Sequence, residues 1–205
     1  MSTQAEFVSF NLSKLGYSSK EDLIENLYLK AIIESYQRID KTISVENDIR
    51  DRFVYDLYHH ESAIRKWLQL QVIHINWERW VFKNQNDLGR ADLSFELSGM
   101  DFIIECKRLQ HADKKYFEEG LTRFLNSDYA ERDEFVGMLG FVVRGNRVVV
   151  SQKLQKRSLE YDAITSDFAS NSYKGWDAGF KGSHIRKDKT NVNVYHLFFD
   201  FQKGN

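Results

Sequence analysis

The sequence predicts an α/β fold in which helices flank a mixed central β-sheet. Residues 89–107 alternate between apolar and polar positions, as in a β-hairpin, and residues 44–57 and 113–132 repeat apolar side chains at helical spacing. Residues 136–143 form a continuous apolar run, which is typical of a strand buried on both faces. The resulting order of elements, in which helices separate strands, indicates the α/β class.

The chain is expected to begin with an N-terminal helical segment, residues 1–42, followed by the main domain, residues 43–205. A helix over about 20–40 presents one apolar side for packing on the core: Leu23, Leu27, Ala31 and Tyr36. In the next helix Ser44 is the predicted N-cap, and apolar residues recur at four-residue spacing: Ile49, Phe53 and Leu57.

Residues 72–82 are predicted to form a strand with imperfect alternation, in which Trp77 and Trp80 pack in the core, with a cap on a sheet edge or a cleft as the alternative. The hairpin follows, with Ser98 and Gly99 as a two-residue turn, because glycine readily adopts the positive φ that such turns need.

The hairpin register brings two carboxylates and a lysine onto one face of the sheet. With the turn at Ser98 and Gly99, paired positions sum to 197, so Asp92 faces Glu105 and Lys107 lies one step further along. The opposite face pairs only apolar residues: Ala91 with Cys106, Leu93 with Ile104, Phe95 with Phe102, and Leu97 with Met100. A shift of one residue would expose this apolar set, so the pattern specifies the register.

The second half of the chain continues the α/β pattern. Asp113 is predicted to cap a helix that runs to about Arg132, in which Gly120 indicates close packing against the sheet or a passing phosphate. The central strand at 136–143 follows, then a helix over 147–160, where the run Val148–Val150 leaves a strand as the alternative. A strand over 193–201 closes the chain.

The polar face of the hairpin suits a hard cation. The carboxylates of Asp92 and Glu105, with the backbone carbonyl of Cys106, are the oxygen ligands that Mg²⁺ prefers, and phosphate oxygens complete such sites. Lys107 projects to the same side, where it can orient or help deprotonate a water molecule or offset charge on a phosphoryl group.

These residues resemble the PD-(D/E)xK superfamily of restriction-endonuclease-like nucleases. Asp92 matches the Asp, and Glu105-Cys106-Lys107 matches the E-x-K after a spacer of twelve residues, whereas Ala91 stands in place of the Pro. The resemblance implies a restriction-endonuclease-like core and Mg²⁺ as the cofactor, with Mn²⁺ as an alternative. It also implies a third acid from the preceding helix, for which Glu46 is the first choice.

Other site residues remain open at this level. Asp48 and Glu78 are the alternatives to Glu46 as the third acid. The resemblance places a polar or basic helper on the helix after E-x-K, which Arg123 matches, and Arg123 is expected to contact substrate.

Charge is unevenly distributed along the chain. The formal net charge is −1, which does not indicate nucleic-acid binding by the whole surface, but residues 144–189 contain ten Lys or Arg against five Asp or Glu, a local excess of +5. Part of this excess lies in a predicted basic loop, about residues 172–190, that mixes glycine and aromatic residues. We expect His184 and Arg186 to bind substrate from this loop, with His196 beside them.

Composition bounds the class of protein. A single cysteine excludes an internal disulfide framework and a cysteine-based zinc site, and Cys106 is expected to pack inward. No stretch approaches 18 apolar residues and the N-terminus lacks a basic-then-apolar signal, so we expect a cytoplasmic protein without membrane partners.

The leading hypothesis is a Mg²⁺-dependent DNA endonuclease that acts in bacterial restriction or anti-phage defence. A homodimer, or a partner subunit of a defence complex, is the further expectation. The first alternative is a catalytically inactive nuclease-like fold that serves as a nucleic-acid-binding or assembly subunit, and a weaker one is a hydrolase of a small phosphorylated molecule.

Overall fold

A seven-stranded mixed sheet lies between two layers of helices. The computed structural model describes residues 4–84, 87–126, 130, 133–161, 163–166 and 176–201. The strand order across the sheet is β1-β2-β3-β4-β7-β6-β5. The seven strands are β1 (Ile73–Asn84), β2 (Asp87–Leu97), β3 (Met100–Leu109), β4 (Phe135–Val142), β5 (Ile164–Ser166), β6 (Gly179–Ile185) and β7 (Asn191–Asp200). The predicted α/β class with a mixed central sheet is confirmed.

The helices divide between the two faces of the sheet. They are α1 (Gln4–Leu15), α2 (Lys20–Leu23), α3 (Lys30–Arg38), α4 (Glu46–His59), α5 (Arg65–Gln69), α6 (Thr122–Leu125) and α7 (Arg147–Ser158). A π-helical segment, Ile24–Leu29, joins α2 to α3, another, Phe117–Leu121, leads into α6, and a 3-10 turn, Leu159–Tyr161, follows α7. Helices α1 to α5 contribute to one apolar cluster, which we call the first core, and the segment 116–124 with α7 contributes to a second core on the opposite face.

The hairpin has the predicted register. Pairing runs from Leu93 with Ile104 to Leu97 with Met100, and Gly99 in the turn has a φ of 83°. The apolar positions of the hairpin lie in the first core: Leu93, Phe95, Leu97, Met100, Phe102, Ile104 and Cys106. The inward packing predicted for Cys106 is therefore confirmed.

One position on the predicted apolar face is wrong, because Ala91 packs in the second core. The β2–β3 ladder ends at Leu93 with Ile104, and beyond it the carboxylate of Asp92, instead of a backbone carbonyl, accepts the Cys106 N–H at 2.8 Å. On the other neighbouring strand Glu78 has a φ of 55°, which is uncommon for a residue other than glycine. The regular alternation is interrupted at this point, so Ala91 turns to the opposite face.

The tryptophans of β1 do not pack in the core, which was the first expectation; they lie exposed on an edge strand, in agreement with the sheet-edge alternative. Trp77 is 51% exposed and Trp80 is 65% exposed. Strand β1 lies at the edge of the sheet and pairs only with β2, so its side chains are less covered than those of a central strand. The Tyr58 hydroxyl lies within hydrogen-bonding distance of both the carbonyl oxygen (3.2 Å) and the N–H (3.3 Å) of Ile75, which covers part of this edge.

The central and C-terminal elements follow the sequence closely. Strand β4 is buried throughout and lies parallel to both β3 and β7, as a continuous apolar run predicts. Residues 147–158 are helical, because the Asn146 side chain accepts the N–H groups of Val148 and Val149 and so caps the first turn. The strand alternative for this segment is wrong.

Three predicted segments differ from the structure. Much of the predicted 172–190 loop is strand β6, which pairs antiparallel with β7, while residues 172–175 lie outside the described part of the chain. The helix predicted from 113 to 132 is shorter: the π-helical segment and α6 end at Leu125, and residues 127–129 and 131–132 are not described. The helix from Ser44 begins instead at Glu46, with Val45 as its N-cap.

Candidate active site

The hairpin brings Asp92, Glu105 and Lys107 together where β2 separates from β3. Glu105 is fully buried on β3, and the Lys107 Nζ lies 3.3 Å from its Oε2. Asp92 lies beyond the last pair of the ladder, so the expected Asp92–Glu105 pair is not formed. Its carboxylate instead accepts the Cys106 N–H, and its charge acts on Lys107. The three residues that matched the motif are therefore neighbours in space as well as in pattern.

Glu105 is bound by two cations. Its Oε2 accepts from Lys107 and, at 3.0 Å, from Nη1 of Arg123, which reaches in from α6 with a side chain that is 38% exposed. Burying a carboxylate is costly unless it is paired and hydrogen-bonded, and these contacts meet that requirement. Arg123 thus contacts a motif residue directly, as the role of a basic helper on this helix implies, while its contact with substrate stays a prediction.

Lys107 is held as an ammonium group. Burial lowers its pKa, but the carboxylates of Glu105, Asp92 and Glu46 outweigh that effect and raise the pKa above its ordinary value. A Cβ atom at Gly120 would lie 3.4 Å from the Lys107 Cε and 2.5 Å from the Met138 Cε. Of the two roles considered for Gly120, close packing against the sheet is the one observed, and it leaves room for the lysine side chain.

Glu46 lies beside the motif residues at the start of α4. Its Oε2 accepts the Arg108 N–H at 2.5 Å, which attaches the first turn of α4 to the end of β3. Glu46 and Lys107 both line a cleft of about 300 Å³ beside the motif, which we call the site cleft. Of the two alternatives for a third acid, Asp48 is exposed and Glu78 is turned toward Arg50.

Arg50 is a site residue that sequence reasoning missed. It is buried on α4, bonds to Asp51 at 2.9 Å and to Glu78 at 3.1 Å, and places Nη1 4.0 Å from the Asp92 carboxylate. Its spacing was a usable signal, because a residue four positions after Glu46 lies on the same side of a helix. Arg50 supplies positive charge to the Asp92 side of the site, as Arg123 does on the Glu105 side.

The carboxylate oxygens of Asp92 and Glu105 are the type of ligand that a hard cation prefers. Mg²⁺ commonly takes only one or two protein carboxylates and completes its shell with water and phosphate oxygens, so Asp92 and Glu105 would suffice. Within the described residues, however, no three His, Cys, Asp or Glu side chains are grouped so that they could hold a metal. Arg123 and Lys107 also compete with a cation for Glu105, so we expect binding to be weak unless substrate phosphates contribute.

The structure does not bring His184 or Arg186 to this site. The Arg186 guanidinium is buried and donates to backbone carbonyls, among them those of Ala130 (2.9 Å) and Asp133 (2.5 Å). His184 is buried on β6 against the second core, and its Nδ1 lies 3.3 Å from the Tyr161 carbonyl oxygen. Both side chains were expected in an exposed loop, but His184 lies on β6, Arg186 directly follows it, and both residues are buried.

His196 and His184 occupy one buried region. The His196 Nδ1 lies 3.0 Å from the Tyr116 hydroxyl, and the Nε2 atoms of both histidines are near the position of a Cβ on Gly182, at 2.8 Å for His184 and 3.5 Å for His196. Burial lowers the pKa of both imidazoles, most strongly that of His196. Both are therefore neutral in the folded protein at neutral pH.

We expect the protein to lose stability as the pH falls below about 6.5, the ordinary pKa of histidine. The unfolded chain then takes up protons at both histidines that the folded state excludes, so the free energy of unfolding declines by up to about 1.4 kcal/mol per pH unit for each. Urea denaturation at pH 7.5, 6.5 and 5.5 measures this decline.

Asp133 provides the control for this prediction. Burial, together with the Asp101 carboxylate, raises its pKa to about 6. The folded state therefore gains a proton at Asp133 as the pH falls from about 6 toward its unfolded value of about 3.9, which stabilises it. Asp133→Asn removes that opposing effect, so the free energy of unfolding of the variant should decline more steeply with falling pH than that of the wild type. An equal or shallower decline in the variant would contradict the prediction.

Comparisons with known proteins do not assign a family to this chain. Of the described helices, none is long and apolar enough to cross a membrane. No protein-family model, no curated protein and no solved structure matches this chain.

Proposed function

We propose that this protein is a Mg²⁺-dependent nuclease that hydrolyses phosphodiester bonds in DNA. The observation that carries the proposal is the convergence of Asp92, Glu105 and Lys107 at the end of one hairpin. Placing a fully buried carboxylate beside a second acid is unfavourable without compensation, and three cations are present to balance them. Such an arrangement is more readily explained by chemistry than by folding alone.

Each residue has a distinct role in this proposal. Asp92 and Glu105, with the Cys106 carbonyl, would hold the cation, which supplies positive charge to the phosphoryl group and makes water a better nucleophile. Lys107 orients the attacking water and offsets negative charge in the transition state. Arg123 sets the position of Glu105, and Glu46 borders the cleft through which substrate arrives.

We further propose a cytoplasmic role in bacterial restriction or anti-phage defence, either as a homodimer or with a partner subunit. The support is the resemblance of Asp92 and Glu105-Cys106-Lys107 to the PD-(D/E)xK motif. Mn²⁺ is expected to replace Mg²⁺, because both accept oxygen ligands.

The test compares Lys107→Met with the wild type on plasmid DNA, linear duplex DNA, single-stranded DNA and RNA, each with Mg²⁺, Mn²⁺ or EDTA. Cleavage should require the metal and fall by about a hundredfold or more in Lys107→Met, the loss typical of removing one transition-state contact. Lys30→Met, which alters an exposed lysine on α3, is the matched control. Equal activity of Lys107→Met and wild type, or no cleavage by either, would reject the proposal.

A second candidate is a nuclease-like fold that binds nucleic acid or assembles with partners without catalysis. The observation that favours it is that Lys107 and Arg123 already neutralise Glu105, while the described residues contain no three-ligand group. A thermal-shift titration separates the two functions. An increase in Tm with Mg²⁺ or Mn²⁺ that disappears in Asp92→Asn supports the nuclease, and no increase supports the binding module.

A further inference from the structure

A second cleft adjoins the site cleft. It has a volume of about 450 Å³ and lies between α7 and the segment that follows β3. Its lining is His111, Ala112, Lys153, Lys156, Arg157 and Glu160, and we call it the basic cleft. His111 lines both clefts, so the basic cleft continues the surface that begins at Lys107.

The basic cleft carries an excess of positive charge. Three cations face one acid, Glu160, which leaves a local charge of +2 on a chain whose net charge is −1. Lys153 and Lys156 are exposed, and within the described residues neither forms an ion pair with a carboxylate. Their positive charge therefore remains available to an anion.

The wall of the basic cleft is built by the fold. Lys156 and Arg157 lie three and four residues after Lys153, which places both of them beside Lys153 on the surface of α7. Arg157 donates from Nη1 to the Ala112 carbonyl at 2.8 Å and so joins α7 to the segment after β3. Buried Val150 and Leu154 pack α7 into the second core. The fold therefore fixes the position of the helix that carries both lysines.

We propose that the basic cleft binds the phosphate backbone of the nucleic-acid strand whose scissile phosphate lies at Lys107. The inference rests on the proposed function, and it adds to that function the path of the substrate strand across the surface. Lysines recognise phosphate as point charges and carry little sequence information, so this contact sets position and affinity and leaves base preference to other residues. An anionic membrane would offer similar charges, but continuity with the site cleft favours a nucleic-acid strand.

The test is the salt dependence of binding by the double variant Lys153→Gln/Lys156→Gln. Fluorescence anisotropy with labelled single-stranded and duplex DNA in EDTA, from 50 to 250 mM salt, gives Kd without cleavage. The slope of log Kd against log salt should fall by about 0.9 for each phosphate of duplex DNA that the variant no longer neutralises, and by about 0.7 for each phosphate of a single strand. We expect Kd at 150 mM salt to rise about tenfold because this electrostatic contribution is removed.

Matched controls separate this effect from a change in fold or total charge. Lys14→Gln/Lys30→Gln removes two charges from α1 and α3, away from both clefts, and should leave the slope as in the wild type. Urea denaturation should give equal stability for both double variants, because the substituted side chains are exposed. In a titration of DNA with Mg²⁺ present, Lys153→Gln/Lys156→Gln should show a raised KM and reach the wild-type kcat only at saturating DNA.

The outcomes distinguish this inference from the proposed nuclease. A slope equal to the wild type in Lys153→Gln/Lys156→Gln overturns the inference, even if the protein cleaves DNA. A reduced slope supports it, and the absence of cleavage would then reject only the nuclease. Unchanged DNA binding together with weaker binding to phosphatidylserine vesicles would also overturn it, in favour of a membrane surface.

Discussion

Arg186→Met is expected to lower the free energy of unfolding by about 3–5 kcal/mol, the range for breaking a buried charged network. Arg186 is 3% exposed, and the acceptors of its guanidinium include the carbonyls of Phe124, Ala130, Asp133 and Asn191 and the Thr190 hydroxyl. Methionine fills a similar volume but donates no hydrogen bond. Each buried carbonyl left without a donor costs about 1–3 kcal/mol, so several such carbonyls together account for the expected range.

The adjacent exposed residue provides the control for Arg186. Lys187→Met removes one positive charge at the next position. The Lys187 backbone N–H donates to the Leu125 carbonyl, and this bond does not depend on the side chain. The substitution should therefore change the free energy of unfolding by less than about 0.5 kcal/mol. Urea denaturation of the three proteins measures the difference. If Arg186→Met kept wild-type stability and instead bound nucleic acid more weakly, the substrate-binding role predicted from the sequence would be correct after all.

Glu105→Gln is expected to reduce metal-dependent cleavage by about a thousandfold or more, since removing a charged ligand from the cation weakens transition-state stabilisation by several kcal/mol. The same change should reduce stability by about 2–3 kcal/mol, because Lys107 and Arg123 are left without the carboxylate that balances them. A plasmid-nicking assay and urea denaturation on the same preparations measure the two effects.

A double variant separates the two consequences of Glu105→Gln. Combining it with Lys107→Met removes one unbalanced cation, so stability should partly recover while cleavage remains absent. Glu119→Gln changes an exposed carboxylate at the site cleft and should affect neither quantity strongly. Full activity in Glu105→Gln would show that Glu105 is only the partner of two cations and does not take part in hydrolysis.

The hairpin illustrates what could be predicted from the sequence. Its register depends on a two-residue turn at Gly99 and on alternation that buries Phe95 opposite Phe102, and both are properties of neighbouring residues. The central strand was predictable for a similar reason, because a strand buried on both faces must be apolar throughout. The meeting of Asp92, Glu105 and Lys107 followed directly from that register.

The errors arose where a distant contact determined the conformation. Ala91 left the predicted face because the Asp92 carboxylate takes the Cys106 N–H and Glu78 on the neighbouring strand has a positive φ. Trp77 and Trp80 are large aromatic residues that are often buried, and the sheet order shows that their strand is an edge. Pairing between strands far apart in sequence is not visible in local alternation.

The sequence by itself determined the α/β class, the hairpin register and the acid, acid and lysine set, because these depend on periodicity and on one tight turn. Only the tertiary structure decided which cations balance that set and which basic residues are structural. Arg50 and Arg123 reach the Asp92 and Glu105 carboxylates from helices on opposite faces of the sheet. Arg186 instead donates hydrogen bonds to backbone carbonyls. The physical reason is that the energetic contribution of a charged side chain depends on its burial and its partners, and the packing of the fold determines both.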